Sequence, residues 1–246
     1  GTIGDGTLDN RSSPVQVGSL TDWAACIRGY STSFFVKTNG TLWVTGSNVN
    51  AGVTGLGNTN TYSSPVQVGS LTNWSPAPGH VVSYRYGSFA IKTDGTLWAW
   101  GANGAGMMGV GNTTAYSSPI QVGSLTDWAF LGGGQHFGAA VKTDGTLWTW
   151  GSNSAGRLGL GNETNYSSPV QVGSLTDWSR VTIGYNGQCA QALKTDGTVW
   201  AWGGGGKAMG LGTGSSVDYC SPVQVGSLTT WIMLGTKLWK AVKTPS

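Results

Sequence analysis

The stretch from Gly132 to Asn162, GGGQHFGAAVKTDGTLWTWGSNSAGRLGLGN, recurs with edits four more times along the chain. Self-similarity at a fixed period constrains folding strongly, because each copy is one supersecondary unit that must bury its apolar faces against its neighbours. Pro14, Pro65, Pro119, Pro169 and Pro222 mark the copies and fall 50 to 54 residues apart, a period of about 52. Within a copy, the apolar run Phe137–Lys142, the turn Thr143-Asp144-Gly145 and the β-branched and aromatic run Thr146–Trp150 read as a hairpin.

Extending this reading over one period gives four short strands. Strand A runs from Trp128 to Leu131, B from Phe137 to Lys142, C from Thr146 to Trp150 and D from Pro169 to Val172, with the Gly-rich connector Gly156–Asn162 between C and D. A four-stranded unit of this length is the blade of a β-propeller. The expected fold is therefore all-β: one domain over residues 1–246, a five-bladed β-propeller with about four antiparallel strands per blade. The ends carry partial copies, so the last blade is expected to be closed by N- and C-terminal strands, D from Pro14 to Val17, and A and B from Trp231 to Lys243. Gly1-Thr2-Ile3 reads as the remnant of a C strand, and whatever completes that blade, an upstream segment or a neighbouring chain, remains open. The chain lacks an initiator Met and a signal peptide, which reads as a processed product or a piece of something longer.

Period-2 alternation on strand C puts Trp148 and Trp150 on one face and Leu147 and Thr149 on the other. Twelve repeat-bound tryptophans are assigned to packing between blades: Trp23, Trp43, Trp74, Trp98, Trp100, Trp128, Trp148, Trp150, Trp178, Trp200, Trp202 and Trp231. They anchor a chain whose 42 glycines would otherwise suggest disorder.

Composition narrows function by exclusion. Only 9% of residues are charged, against about 25% in an ordinary soluble domain, so Ser, Thr, Asn and Gly must coat the surface. No apolar run approaches the roughly 18 residues of a membrane span. A net charge of +3 without a basic run gives no footprint for nucleic acid. Five cations, Lys37, Lys92, Lys142, Lys194 and Lys243, occupy one repeat position and read as a solvated ring at strand ends. Cys26, Cys189 and Cys220 have no zinc-ligand spacing and read as small apolar fillers.

Catalysis needs groups that break the repeat, and few do. Asp22, Asp127 and Asp177 precede strand A, while Asp94, Asp144 and Asp196 sit in Asp-Gly turns. Asp5, Asp9, Glu163 and Asp218 form no acid–base pair. The expectation is a non-enzyme with no catalytic residue, no metal and no cofactor.

The motifs Gly134-Gln135-His136, Asp144-Gly145, Leu147-Trp148-Thr149-Trp150-Gly151, Asn153 and Gly156-Arg157-Leu158-Gly159 together resemble the regulator of chromosome condensation repeat. The resemblance covers nearly the whole chain and implies a β-propeller built of repeats of about 50 residues. It also implies, as the alternative function, guanine-nucleotide exchange on a small GTPase. His136 is the only histidine at its position, and the copies are more alike than is usual for that family, as recent duplication would leave them.

Variation between copies is the remaining guide. The distance from marker proline to strand-A tryptophan is constant at 9, whereas from that tryptophan to the strand-B lysine it is 14, 18, 14, 16 and 12. Length editing is thus expected in the A–B loops, which share one rim with the C–D loops. The candidate binding residues on it are Arg28, Tyr30, His80, Tyr84, Arg85, Tyr86, Gln135, His136, Tyr185, Asn186 and Gln188, a Tyr/Arg/amide mixture suited to recognition. Neutral drift of surface loops is the competing reading. The leading expectation is a structural or binding propeller that recognises protein or glycan, at a cell surface, outside the cell or on a virion, and that assembles with neighbouring chains.

Overall fold

The computed structural model describes residues 3–48, 52–184, 187–204, 217–227, 229, 231–233 and 241–243. They form two compact units, Gly1–Asn103 with Thr114–Thr126, and Gly104–Thr113 with Asp127–Ser246. The first unit holds two four-stranded sheets: β1 (Trp23–Arg28), β2 (Thr32–Lys37), β3 (Leu42–Gly46) and β4 (Tyr62–Gln67), then β5 (Val81–Ser83), β6 (Gly87–Ile91), β7 (Leu97–Gly101) and β8 (Tyr116–Gln121). The second holds β9 (Trp128–Gly133), β10 (Phe137–Lys142), β11 (Leu147–Gly151) and β12 (Tyr166–Gln171), then β13 (Trp178–Ile183), β14 (Cys189–Lys194), β15 (Val199–Gly203) and β16 (Tyr219–Gln224). β17 (Trp231–Met233) and β18 (Ala241–Lys243) pair as a two-stranded sheet. All neighbours are antiparallel and follow chain order, so each four-stranded sheet is a meander. No helix among the described residues is long and apolar enough to cross a membrane.

The expected five-bladed closed ring is corrected here. The described residues hold four four-stranded sheets and one pair of strands, and residues 14–17, expected as an outer strand, form none. The reason is pairing: an outer strand such as β12 bonds only to its own C strand, β11, and no C strand precedes residue 14 among the described residues. The segment after Ile3 is likewise not the end of a C strand. Gly6 donates its N–H to the Ser63 carbonyl at 2.9 Å, the bond that Gly57 makes to Ser117 (2.8 Å), Gly111 to Ser167 (2.7 Å) and Gly161 to Cys220 (2.7 Å). Residues 4–6 therefore sit on the first sheet as the other C–D connectors sit on the sheet that follows them. Outer strands also begin three residues before the marker proline; Pro169 falls where the β11–β12 register shifts between Thr149 and Gly151, a place where its missing N–H does no harm.

Packing within each unit explains the repeat. In the first, Phe34, Val36 and Val44 of one sheet meet Trp74, Val81, Ala90 and Trp100 of the next. In the second, Phe137, Ala139 and Val141 meet Trp178, Val181, Ala192 and Trp202. The two tryptophans of β7, β11 and β15 share a face but not an environment. Trp150 is 0% exposed and Trp148 half-buried, and the Trp128 ring lies edge-on to both, at 6.1 and 6.2 Å. The deep indole is tied to the preceding connector: Nε1 of Trp100, Trp150 and Trp202 donates to the carbonyls of Val53, Met107 and Arg157 at 2.9, 3.1 and 3.0 Å. Gly159 must be glycine, since it has φ +73° and a Cβ there would lie 2.8 Å from the Trp202 Nε1.

The B–C turns form a second lock. Asp144 Oδ1 accepts from the Thr146 N–H and hydroxyl at 2.9 and 2.7 Å, and the Thr146 oxygen accepts from Trp148 Nε1 at 2.8 Å. Asn39 replaces the aspartate in the first sheet and accepts the same two bonds, so the turn needs an oxygen and not a charge. Gly145 has φ +78°, a Cβ on it would collide with the Thr176 carbonyl, and its own carbonyl accepts from the Trp178 N–H of the next sheet at 3.0 Å.

The repeat lysines are not a solvated ring. Lys37, Lys92, Lys142 and Lys194 are all buried, Lys142 to 7% exposure. Its Nζ lies 3.4 Å from Asp127 Oδ2 and 5.1 and 4.3 Å from the Trp128 and Trp148 rings. A cation sandwiched by two indoles with a carboxylate alongside keeps its charge satisfied while its stem fills the sheet end. Lys243 falls in β18, where only the strand is described. Of the cysteines, Cys189 is buried, which pushes its thiol up to about 11, while Cys220 is half-buried and Cys26 is exposed, so only the first is the expected apolar filler.

Candidate functional site

Strand pairing locates the A–B loops. Gly29, Tyr84, Gly134 and Gly184 open them, each donating its N–H across the loop: to Thr32 (2.8 Å), Gly87 (3.0 Å), Phe137 (3.2 Å) and Cys189 (2.9 Å). The first three loops are equal in length, Gly29–Ser31, Tyr84–Tyr86 and Gly134–His136, and only the fourth, residues 184–188, is longer. The other length change lies elsewhere. Strand A carries a one-residue bulge at Ala24, Ala129 and Ser179, next to the tryptophan that pairs with the lysine. In the second sheet this bulge has grown into residues 75–80, between the Trp74–Lys92 bridge and the Val81–Ala90 pair. His80 therefore leaves the candidate rim: it closes that excursion, its carbonyl accepting from the Ile91 N–H at 2.7 Å. A bulge tolerates added residues because it is already unpaired.

In the first unit the rim assembles around Arg85. Its guanidinium lies 5.1 Å from the Tyr86 ring and 5.9 Å from the Tyr30 ring, with Tyr30 45% exposed and Arg85 exposed. Arg28 is exposed at the end of β1, opposite Ser33. Tyr84 turns inward instead, 8% exposed against Phe89 at 5.7 Å; its hydroxyl has no hydrogen-bond partner among the described residues, and burial raises its pKa well above the ordinary value. Beneath the loops the hydroxyls of Thr32, Ser83 and Ser88 join in a buried chain, Thr32 to Ser83 at 2.9 Å and Ser88 to Ser83 at 3.0 Å.

The A–B loops of this unit carry only positive charge. Neither Arg28 nor Arg85 has an ion-pair partner among the described residues, while Asp22 is held by Lys37 at 3.3 Å and Asp5 by Arg11 at 2.6 Å. Asp94 accepts from Thr96 in the B–C turn, at the opposite end of the strands. A guanidinium stacked between phenols keeps its N–H edge available for a carboxylate.

In the second unit Gln135 and His136 are half-buried and Gln188 is exposed; Tyr185 and Asn186 lie outside the described residues. Sequence reasoning passed over Arg157. It is 7% exposed and supports the long loop from below, donating from Nη1 to the Gly187 carbonyl at 3.1 Å and from Nε to the Ser154 carbonyl at 2.9 Å. Its counterparts are Val53 and Met107, so the signal was a lone cation at an otherwise apolar repeat position. No group of three or more metal-ligating side chains occurs among the described residues.

Comparison with known proteins agrees with this geometry. The family profile described as the regulator of chromosome condensation (RCC1) repeat matches residues 94–141 and 144–190. The second match starts at the Asp-Gly turn, runs through β11 and β12 and ends inside β14, so one repeat supplies the outer half of one sheet and the inner half of the next. Among solved structures, human WBSCR16 superposes with a TM-score of 0.75 at 23% identity, over 92% of this chain and 60% of that one. Prp20p from Saccharomyces cerevisiae, described with its binding to Gsp1p and histones, gives 0.76 at 17% identity, over 89% and 54%. Yeast RCC1 (Prp20) bound to Kap60 gives 0.71 at 18%, over 85% and 49%. The chain thus spans less than two thirds of each of these proteins. It shares their fold, and its residues 94–141 and 144–190 match the regulator of chromosome condensation repeat.

Proposed function

We propose that this chain is a protein-binding propeller module whose A–B rim docks an acidic surface of its partner. The observation that carries the reading is Arg85 held against Tyr30 and Tyr86 with no carboxylate in ion-pairing range among the described residues. Tyr and Arg dominate the energetics of protein interfaces, and a stacked guanidinium loses little entropy when it binds. Protein is favoured over glycan because the guanidinium already faces the Tyr86 and Tyr30 rings, which leaves less aromatic surface for a sugar. One solved relative, Prp20p, is described with its binding to Gsp1p and histones, and yeast RCC1 (Prp20) with Kap60.

The test is capture from extract followed by titration of the purified partner. Arg85→Ala should weaken binding at least about tenfold, the loss of roughly 2 kcal/mol expected of an interface anchor, and affinity should fall with added salt. A partner bound equally by Arg85→Ala and Tyr30→Ala, or a glycan array giving salt-independent hits while proteins give none, overturns the proposal. The second reading, exchange on a small GTPase, is favoured only by the likeness to Prp20p, and nucleotide-release kinetics with a purified GTPase decide it.

A further inference from the structure

The bulges of β9 and β13 lie side by side in the second unit and open a pocket of about 480 Å³. A volume of this size suits a small ligand or a few residues of a peptide. Phe130, Val141 and Trp178 supply apolar wall, and the B–C turn at Asp144 and the segments at Thr176 and Thr195 supply a polar margin. Here the repeat is broken in a way that length comparison does not register. The residue after the bulge is Ala25 in the first sheet, Phe130 in the third and Arg180 in the fourth.

Arg180 is exposed, its guanidinium lies 5.5 Å over the Phe130 ring, and it makes no ion pair or hydrogen bond among the described residues. Lys142, the other cation on the wall, is already engaged by Asp127 and two indoles. Asp144 keeps one oxygen on Thr146 and has the other open to solvent; the hydrogen bonds from Thr146, chiefly that from its hydroxyl, hold its carboxyl below the usual range. The pocket therefore offers one unused guanidinium fork and one ionised acceptor on its margin.

We propose that this pocket binds the carboxylate side chain of an acidic peptide segment, Arg180 taking the carboxylate and Asp144 accepting from a backbone N–H of the same segment. Inorganic phosphate and other dianions are disfavoured because their second negative charge adds repulsion from Asp144, whereas a peptide segment brings a neutral backbone N–H to that carboxylate. A sugar acid is disfavoured because Phe130, the ring on which its apolar face would stack, is covered by the guanidinium. The site belongs to the opposite strand ends from the A–B rim, and its occupancy does not depend on the reading of the rim.

Nitrogen-15 NMR of the whole chain tests this with four probes: blocked Gly-Glu-Gly, blocked Gly-Gln-Gly, glucuronate and inorganic phosphate. The Glu peptide should shift the Arg180 Nε–H and the amides of Phe130 and Gly145 saturably, with the Gln peptide at least about tenfold weaker, as expected when a charge-assisted pair becomes a neutral one. Arg180→Ala should abolish the saturable shifts, and Arg180→Lys should bind more weakly than wild type because an ammonium lacks the planar fork. Equal binding of the Glu and Gln peptides, stronger binding of glucuronate or phosphate, no saturable shift with the Glu peptide, or unchanged binding by a folded Arg180→Ala protein overturns the proposal.

Discussion

The two ends of the strands follow opposite rules. At the B–C end, four sheets repeat one arrangement almost atom for atom: a buried lysine over two indoles and a threonine bonded to a turn oxygen. At the A–B end, no two loops carry the same side chains: Tyr30, Arg85 with Tyr86, Gln135 with His136, and the longer fourth loop. The contrast teaches that the first end holds the chain together and leaves the second free to vary.

Four substitutions and one titration bear on that contrast, in falling order of effect. Trp150→Ala removes a fully buried indole and its bond to Met107, and should destabilise by about 3–5 kcal/mol. Trp148→Ala, half-exposed, should cost clearly less, and urea melts giving equal losses would refute the division between deep and shallow indoles. Next, Lys142→Ala should cost about 1–2 kcal/mol through lost indole contact and an unpartnered Asp127, while Arg85→Ala at the varied end should stay within about 0.5 kcal/mol. Thermal melts in which Arg85→Ala is the more damaging would reverse the roles of the two ends.

The smallest effect is local and depends on pH. Arg11, donating to Asp5 at 2.6 Å, together with Thr7, lowers the Asp5 carboxyl from 3.8 to about 2. Because the folded value is the lower one, the contribution is complete above the unfolded value near 3.8 and is lost as pH falls towards 2. Carbon-detected NMR should show Asp5 titrating at about 2, and amides of residues 4–7 loosening over that window. An Asp5 midpoint at the ordinary carboxylate value would mean that the connector on the first sheet is not pinned there.

Much of the fold could be read from one chain because the constraint recurs. Strand B was bounded correctly at Phe137–Lys142, and strand C within one residue, since alternation, a turn and a glycine coincide there in every copy. The lysines were misread for a reason that pattern alone cannot remove: a cation over indoles and a cation in water have the same spacing. His80 was misplaced because the count from tryptophan to lysine sums strand and loop, and only the pairing of Ala90 with Val81 shows which of the two had lengthened. Arg157 and Arg180 lie at repeat positions held by apolar residues in other copies, and a search confined to loop length passed over them.

The bond from each deep indole to the preceding connector ends on a main-chain oxygen, of Val53, Met107 or Arg157. A joint built on a peptide carbonyl has no opinion about the side chain attached to it. Each of these three bonds therefore leaves one position where mutation can write valine, methionine or arginine without breaking the contact. Arg157 has used that freedom to reach under a neighbouring loop, so the architecture's most invariant contact is also where it gains new vocabulary.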